Sequence, residues 1–361
     1  MYKSLRAQTL HYFARPQERI PTAPLETAAA WRGADMRREP ALWTAMLGPA
    51  EVEELQRAQA HAAASGRTLA QMTREDFPLP TLAARIAQWR DEIRHGRGFV
   101  LIRGVPVASW SERQAETFFW CLGHHFGMPG AQNPEGDLLG HVRDQRTGAD
   151  VRYYRTNKEL AVHTDTADFV GLLCLQKARS GGLSRIASSV AVFNELLRVK
   201  PHLVPRLFEP VWFDTKGEGG VRAFAIPPCR YWRGELRTFW QSDYYRTVTR
   251  HAHVPKPSAL EQELLDSYDA IANSDAFHLD MDLAPGDVQL ISNHTILHAR
   301  TAFEDWPEPE RRRHLLRLWI SIPERKPLAE RLVTLGSLAA VAGSAALELA
   351  RERGRALRPG S

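Results

Sequence analysis

The sequence predicts a mainly β protein with flanking helices (α+β), built around a sandwich or jelly roll. Two observations indicate this fold class. Helical periodicity dominates the first third of the chain, and short apolar runs separated by turn residues dominate from about residue 150 onward. Strands and helices do not alternate as they do in parallel α/β units, and the sequence contains no GxGxxG or GxxxxGK[ST] motif.

The N-terminal third carries most of the helix signals. A helix is predicted to open at Pro49, with acidic residues in its first turn, and to end at Gly66. Apolar residues recur at helical spacing over residues 82–93, and residues 110–126 are also predicted to be helical. A helical insert is predicted near residues 258–272.

Apolar runs bounded by turn residues predict the buried strands. These runs are residues 98–105, 169–175, 288–292 and 314–320. We therefore expect a catalytic domain over residues 96–325, an N-terminal helical region over 1–95 packed on it, and a C-terminal helix and tail over 326–361.

Composition excludes several classes of protein. The chain has 361 residues, of which 43% are hydrophobic and 25% charged, and this is the composition of a globular protein rather than a disordered one. Cys121, Cys174 and Cys229 are too few and too widely spaced for a disulfide framework, which favours a reducing, cytoplasmic location. The formal net charge is +5, but basic and acidic residues are interspersed, so we expect no nucleic-acid partner.

The C-terminal region has one long uncharged segment, residues 332–347. It is shorter than the roughly 20 residues that span a bilayer, so we expect no membrane association, and a C-terminal membrane anchor is the alternative. A helix is predicted over residues 328–353, and its apolar face is expected to dock on the body or on a second subunit. A homo-oligomer, in the simplest case a dimer, is therefore predicted.

His163-Thr164-Asp165 is the first candidate for chemistry. Residues i and i+2 of an extended strand point to the same side, so one imidazole and one carboxylate can approach a single metal ion together. An apolar strand and a Gly-Gly turn follow this motif. His298 offers a third ligand, and two histidines with one carboxylate leave three adjacent positions open, which suits non-haem Fe(II) that activates oxygen.

Other histidines compete for these roles. His278-Leu279-Asp280 repeats the pattern, although an isolated pair of this kind is more often a surface histidine beside an aspartate. His294 lies four residues before His298 and would point the same way on a strand. Cationic residues beyond His298 could hold the far carboxylate of a keto-acid cosubstrate.

The order of these motifs resembles the Fe(II)/2-oxoglutarate dioxygenases of the taurine dioxygenase (TauD/TfdA) family. The likeness spans roughly residues 95–323 and is carried by HTD at 163–165, SGGLS at 180–184, LHAR at 297–300 and RHLLRLW at 313–319. The resemblance implies a double-stranded β-helix, which is a jelly roll. It also implies Fe(II) as cofactor and 2-oxoglutarate and O2 as cosubstrates.

The resemblance implies roles for individual residues. His163, Asp165 and His298 match the family's catalytic iron ligands, and His298 is preferred to His294 because the Leu-His-x-Arg motif falls there. Ser184 stands where the family usually has a threonine that hydrogen-bonds the cosubstrate carboxylate, and it keeps the hydroxyl.

Two arginines four residues apart follow the distal histidine in the family, and Arg313 and Arg317 have this spacing. By analogy Arg313 binds the C5 carboxylate of 2-oxoglutarate, and Arg317 lies near the substrate or the same carboxylate. Arg311 and Arg312 are competitors. Arg311 would share a strand face with Arg313, whereas Arg312 would not.

The segment before the HTD motif borders the active-site mouth in the family. Arg155, Thr156 and Asn157 are therefore candidates for substrate contact. The alternative is a polar strand edge held by its own hydrogen bonds.

The predicted function is a 2-oxoglutarate-dependent dioxygenase that hydroxylates an unactivated C–H bond of a small anionic substrate and releases succinate and CO2. Desaturation or ring closure in a natural-product pathway would use the same chemistry. A related halogenase is disfavoured because Asp165 fills the position that a halide would need. A zinc hydrolase would need a general base of the HExxH kind, and the iron triad with its arginine pair argues against a non-catalytic binding protein.

Overall fold

The structure is a computed structural model that describes residues 2–144, 156–216 and 222–323. The predicted C-terminal helix over 328–353 and the tail over 326–361 lie outside the described residues, so the dimer that they suggest stays a prediction. None of the helices in the described ranges is long and apolar enough to cross a membrane.

The described residues form a mixed fold of helices and strands. The helices are α1 (Leu5–Phe13), α2 (Gly33–Arg38), α3 (Pro49–Ala64), α4 (Ala83–His95), α5 (Glu112–Phe126), α6 (Ser189–Val199), α7 (Ser242–Thr247) and α8 (Ala259–Ala272). The strands are β1 (Thr44–Met46), β2 (Phe99–Arg103), β3 (Met128–Gly130), β4 (Gly140–Val142), β5 (Leu160–His163), β6 (Phe169–Gln176), β7 (Ser180–Gly181), β8 (Ser184–Ser188), β9 (Val211–Asp214), β10 (Ala223–Ile226), β11 (Cys229–Trp232), β12 (Glu235–Thr238), β13 (His278–Met281), β14 (Val288–Ser292), β15 (Ile296–Arg300), β16 (Phe303–Glu304) and β17 (His314–Ser321).

Two sheets make the centre of the molecule. The large sheet has the strand order β1-β2-β14-β6-β17-β3, and β4 also pairs with β17. The small sheet has the order β13-β8-β15-β5. All pairs in both sheets are antiparallel apart from β1 with β2. The predicted jelly roll with flanking helices is confirmed.

Side-chain alternation along the strands builds the layers. On β2, Phe99 and Leu101 enter an inner core that they share with Ile186 and Leu279 of the small sheet. Val100 on the same strand points the other way, into a second core against α3, α4 and α5. A third core lies on the outer side of the small sheet, under α6 and α8. The space between the two sheets is therefore enclosed from both sides.

The predicted elements agree with the structure in place and type. The helices expected over 82–93 and 110–126 are α4 and α5, and the four apolar runs are β2, β6, β14 and β17. Helix α5 begins at Glu112 rather than at residue 110 because Ser111 caps it, its hydroxyl accepting the Gln114 N–H at 3.3 Å.

Candidate active site

His163, Asp165 and His298 come together between the two sheets. His163 ends β5 and lies opposite His298 on β15. On β15 the neighbours Leu297 and Ala299 belong to the outer core, so His298 points inward. One possible ligand atom from each member of the triad lies within 4.8 Å of the other two.

Hydrogen bonding leaves Nε2 of His163 available to a metal. Nδ1 of this ring lies 2.8 Å from the carbonyl oxygen of Ala161. Because a carbonyl can only accept, Nδ1 carries the proton and Nε2 carries a lone pair. Burial and the adjacent His298 lower the pKa of His163 to about 3, so the ring is neutral at neutral pH, as a metal ligand must be.

The carboxylate of Asp165 is oriented by its neighbours. The indole Nε1 of Trp319 donates to Oδ2 at 2.8 Å, and the Asp165 backbone N–H donates to Oδ1 of Asn293 at 3.0 Å. The Asn293 amide also donates to the carbonyl of Ala167 at 2.9 Å, which holds the loop after the HTD motif. Burial alone would raise the pKa of Asp165, but Arg317 and the two histidines hold it well below its ordinary value.

The triad has the donor chemistry of an Fe(II) site. It combines two imidazoles with an ionised carboxylate, and Nε2 of His298 lies 3.6 Å from Oδ2 of Asp165. Two histidines and one carboxylate on one side of an ion leave the opposite positions open to a cosubstrate and oxygen. The residues present therefore fit the metal that the motifs predicted.

Arg317 lies beside the triad on β17. Its Nη1 is 3.9 Å from Oδ2 of Asp165, and its Nε donates to Oε1 of Gln132 at 3.2 Å. The guanidinium carbon lies 4.5 Å from the centroid of the Trp319 ring. Gly140 faces it from β4, where a Cβ would come within 3.3 Å of Nε. Arg317 is thus a positive charge next to the metal ligands.

Arg313 is buried just before β17, with 4% of its surface exposed. Its guanidinium carbon lies 5.1 Å from the ring centroid of Phe303. Gly182 makes room for it, since a Cβ at that position would lie 3.0 Å from Nε of Arg313 and the backbone φ is +70°. Among the described residues, Nη1 of Arg313 has no hydrogen-bond partner. Burial lowers the pKa of Arg313 to about 10, which leaves it cationic at neutral pH.

The two competing arginines lie outside this interior. Arg311 stacks on the ring of Trp306, 3.6 Å from its centroid, and its side chain is half exposed. Arg312 donates to the carbonyls of Trp306 at 3.3 Å and Pro307 at 2.8 Å. Within residues 311–313, Arg313 is therefore the arginine that enters the protein interior.

Ser184 opens β8 and is buried. Its hydroxyl donates to Oε1 of Gln289 on β14 at 2.8 Å. The hydroxyl thus lies in the inner layer between the sheets.

The segment before the HTD motif is described in part. The carbonyl of Thr156 accepts from Nη2 of Arg300 at 2.7 Å, and the carbonyl of Asn157 accepts from the Phe303 N–H at 3.1 Å. The side chain of Asn157 is exposed and that of Thr156 is half-buried. Arg155 lies outside the described residues.

His294, the alternative ligand, is not part of the triad. Its Nε2 lies 2.8 Å from Oδ1 of Asp168, and its ring stacks on Tyr12 with 5.3 Å between centroids. Asp168 also contacts Nε2 of His11 at 2.8 Å. His294 therefore helps to hold α1 against the body of the protein.

Three residues of the site were not predicted from the sequence: Trp319, Asn293 and Gln132. Trp319 carries a usable signal, since it stands two residues after Arg317 and so shares its strand face. Asn293 and Gln132 carry none, because their partners are 128 and 185 residues away in the chain.

A family model described as "Taurine catabolism dioxygenase TauD, TfdA family" matches residues 65–319. The chain belongs to this family. The family predicted from the motifs is thus confirmed, and with it the enzyme class, a 2-oxoglutarate-dependent non-haem iron dioxygenase.

Characterised relatives align over most of their length. The chain is 29% identical over 321 residues to FR-33289 synthase of Streptomyces rubellomurinus, covering 86% of this chain and 94% of the synthase. It is 27% identical over 312 residues to taurine hydroxylase-like protein SAT17 of Stachybotrys chartarum, covering 81% of this chain and 79% of that protein.

Solved structures share the fold. An asparagine oxygenase in complex with Fe(II), 2S,3S-3-hydroxyasparagine and succinate superposes with a TM-score of 0.63 at 17% identity, over 77% of this chain and 93% of that chain. The non-haem iron oxygenase OrfP in complex with Fe and alpha-ketoglutaric acid gives 0.56 at 18% identity, over 78% and 94%.

Proposed function

We propose that this dioxygenase hydroxylates an unactivated C–H bond of a small anionic substrate, with Fe(II) held by His163, Asp165 and His298. The group of two imidazoles on the adjacent strands β5 and β15 and one carboxylate just after β5 carries this proposal. Bound Fe(II) supplies oxygen activation, coupled to the decarboxylation of 2-oxoglutarate to succinate and CO2, that oxidises the C–H bond.

Arg313 is the proposed partner of the 2-oxoglutarate C5 carboxylate. Its guanidinium is buried, and its Nη1 is unpartnered among the described residues. A buried charge is costly unless it is paired, so this position favours an anionic ligand that can bond to both nitrogens of the fork. Ser184 is proposed as a second donor to the cosubstrate, its hydroxyl turning away from Gln289 when the cosubstrate binds.

Arg317 is the proposed partner of an anionic group on the substrate. It lies 3.9 Å from a metal-ligand oxygen, and Gln132 orients it through Nε. A fixed charge beside the reacting centre positions the substrate so that one C–H bond faces the open coordination positions. Thr156 and Asn157 are proposed to contact the substrate, and so is Arg155, which lies outside the described residues.

The descriptions of similar proteins favour hydroxylation over desaturation. The structurally similar asparagine oxygenase is described with a hydroxylated amino acid and succinate, and OrfP with (3S)-hydroxy-L-Arg. SAT17 is described as taurine hydroxylase-like. These descriptions concern those proteins, and they make insertion of one oxygen atom the first outcome to test here.

The test is anaerobic reconstitution of the purified chain with Fe(II), followed by measurement of succinate formed from 2-oxoglutarate in air. Small carboxylates, sulfonates and amino acids are added in turn, and the mass of each product is recorded. We expect an anionic compound to stimulate succinate formation and to gain one oxygen atom. Neutral isosteres that stimulate equally well, or a product that has lost two hydrogens, would contradict the anionic or the hydroxylation part of the proposal respectively.

A further inference from the structure

We propose that Glu112, His141 and His314 form a second metal site, for a divalent transition-metal ion of the zinc type. Nδ1 of His141 lies 2.9 Å from Nε2 of His314, and 3.6 Å from Oε1 of Glu112. One ligand atom from each of the three residues lies within 4.8 Å of the other two. The dioxygenase reaction proposed above uses none of them.

The fold explains why these side chains converge. β4 pairs with β17, and His141 lies opposite Leu316. Leu316 belongs to the core against α5, and His314, two residues earlier on the same strand, shares that side. Glu112 opens α5 and Glu116 follows one turn later, so both carboxylates lie on the same side of the helix, close to the imidazole of His141.

The contact between the two rings is suited to replacement by a metal ion. Two neutral imidazoles can face each other nitrogen to nitrogen only if one proton lies between them. A metal ion in place of that proton would receive a lone pair from each ring.

A second carboxylate supports the arrangement. Oε1 of Glu116 lies 3.5 Å from Nε2 of His141. A proton on Nε2, facing this carboxylate, would leave the lone pair on Nδ1, the nitrogen that faces His314 and Glu112. Carboxylates that orient a histidine ligand in this way are usual around zinc. Two imidazoles, one carboxylate and a water would complete a four-coordinate zinc site.

The proposed site is separate from the iron triad and accessible from outside. It lies on the helix-covered side of the large sheet, whereas the triad faces the space between the sheets. The side chains of Glu112 and His141 are 51% and 29% exposed, which gives an ion a path to the site. His141 and Glu116 also line a cavity of about 370 Å³.

The test requires a chain whose iron triad no longer binds metal. In the full-length His163→Ala/Asp165→Ala protein, zinc is titrated against a chromophoric chelator, and the metal retained after desalting is counted. We expect about one zinc per chain with micromolar or tighter affinity. His141→Gln and His314→Gln should each weaken zinc binding at least about tenfold. His61→Gln, at an exposed position on α3, is the matched control and should leave it unchanged.

Absence of stoichiometric zinc in the triad-free chain would overturn the site, and so would equal affinity after either histidine change. Thermal melts report whether each variant folds. His141 is partly exposed, so its variant decides the question if the change at the more buried His314 prevents folding. Cobalt(II) absorption in the visible range, lost in His141→Gln, would show histidine coordination directly.

Discussion

The two His-x-Asp motifs of this chain lie on opposite edges of the same small sheet. His163 ends β5 and His278 begins β13, and the sheet order is β13-β8-β15-β5. The strand next to β5 brings His298 directly opposite His163. The strand next to β13 brings Arg185 opposite Asp280. Identical local patterns therefore face a second histidine at one edge of the sheet and a neutralising cation at the other.

The two motifs also point to different sides of the small sheet. Leu279, between the histidine and aspartate of the second motif, enters the inner core, so His278 and Asp280 point outward. Val162, just before His163, enters the outer core, so His163 points inward. Shifting a motif by one position along a strand moves its side chains to the other side of the sheet.

The second motif is also fully engaged in structural contacts. Arg185 holds Asp280 through Nε at 2.7 Å and Nη2 at 2.8 Å. Nδ1 of His278 contacts the carbonyl of Asn273 at 3.0 Å. We therefore predict a metal site only at the His-x-Asp pattern whose neighbouring strand adds a histidine and whose side chains face an enclosed space.

The largest effect is expected from removing a ligand of the first motif. His163→Ala, Asp165→Ala and His298→Ala should each lower 2-oxoglutarate turnover by at least about a hundredfold, because three ligands hold the iron. Iron content and succinate formation measure this. His278→Ala should change turnover by no more than about twofold. Loss of iron in His294→Ala with retention in His298→Ala would show that the ligands are wrongly assigned.

The next largest effect is expected from removing the buried guanidinium of Arg313. Arg313→Gln should raise the KM for 2-oxoglutarate roughly 30-fold to 4,000-fold, since breaking a buried charge pair costs about 2–5 kcal/mol. Arg185→Gln is the control, because Asp280 already neutralises that arginine. Steady-state kinetics with 2-oxoglutarate as the varied substrate distinguishes them. An unchanged KM in Arg313→Gln with a raised KM in Arg317→Gln would exchange the two proposed roles.

Removing the hydrogen bond from Trp319 to the Asp165 carboxylate should have a smaller effect. Trp319→Phe removes the N–H that donates to Asp165 and should weaken iron binding about 10–100-fold. Trp120→Phe is the matched change, since Trp120 is buried and its Nε1 has no hydrogen-bond partner in the described ranges. Equilibrium Fe(II) titrations compare the two variants. Equal affinities in both would mean that the indole hydrogen bond does not support the ligand.

The last comparison concerns the stability of the iron-free chain at acidic pH. The folded protein lowers the pKa of His163 and of His294 to about 3, from an ordinary value of 6.5. Between these values the unfolded chain binds more protons, so the free energy of unfolding should fall as pH drops below about 6.5. Each histidine contributes up to about 1.4 kcal/mol per pH unit.

Denaturant unfolding of the iron-free protein at several pH values between neutral and mildly acidic measures this slope. His163→Gln should reduce the slope, because the ring of His163 is no longer there to take up a proton on unfolding. A slope that stays the same in this variant would mean that the ring of His163 is not held neutral by the fold.

Local patterns account for the elements that were predicted. Helix α8 begins after Ser258. Its hydroxyl accepts from the Glu261 N–H, and the Glu261 carboxylate accepts from the Ser258 N–H, all within four residues. Strand β6 is an unbroken apolar run because both of its faces are covered. β5 was not predicted, because it is short and lies between polar segments.

By itself, the sequence determined the chemistry available to this protein: the His-x-Asp pairs, the distal histidine and the two arginines four residues apart. These depend on neighbours within a few positions. The tertiary structure decided which His-x-Asp pair faces His298 and which of the arginines at 311–313 is buried. It also decided that Trp319 donates to Asp165. It also placed His141 beside His314, 173 residues apart in the chain. Such contacts depend on strand order and sheet packing, and these become defined only when the two sheets close over a common core.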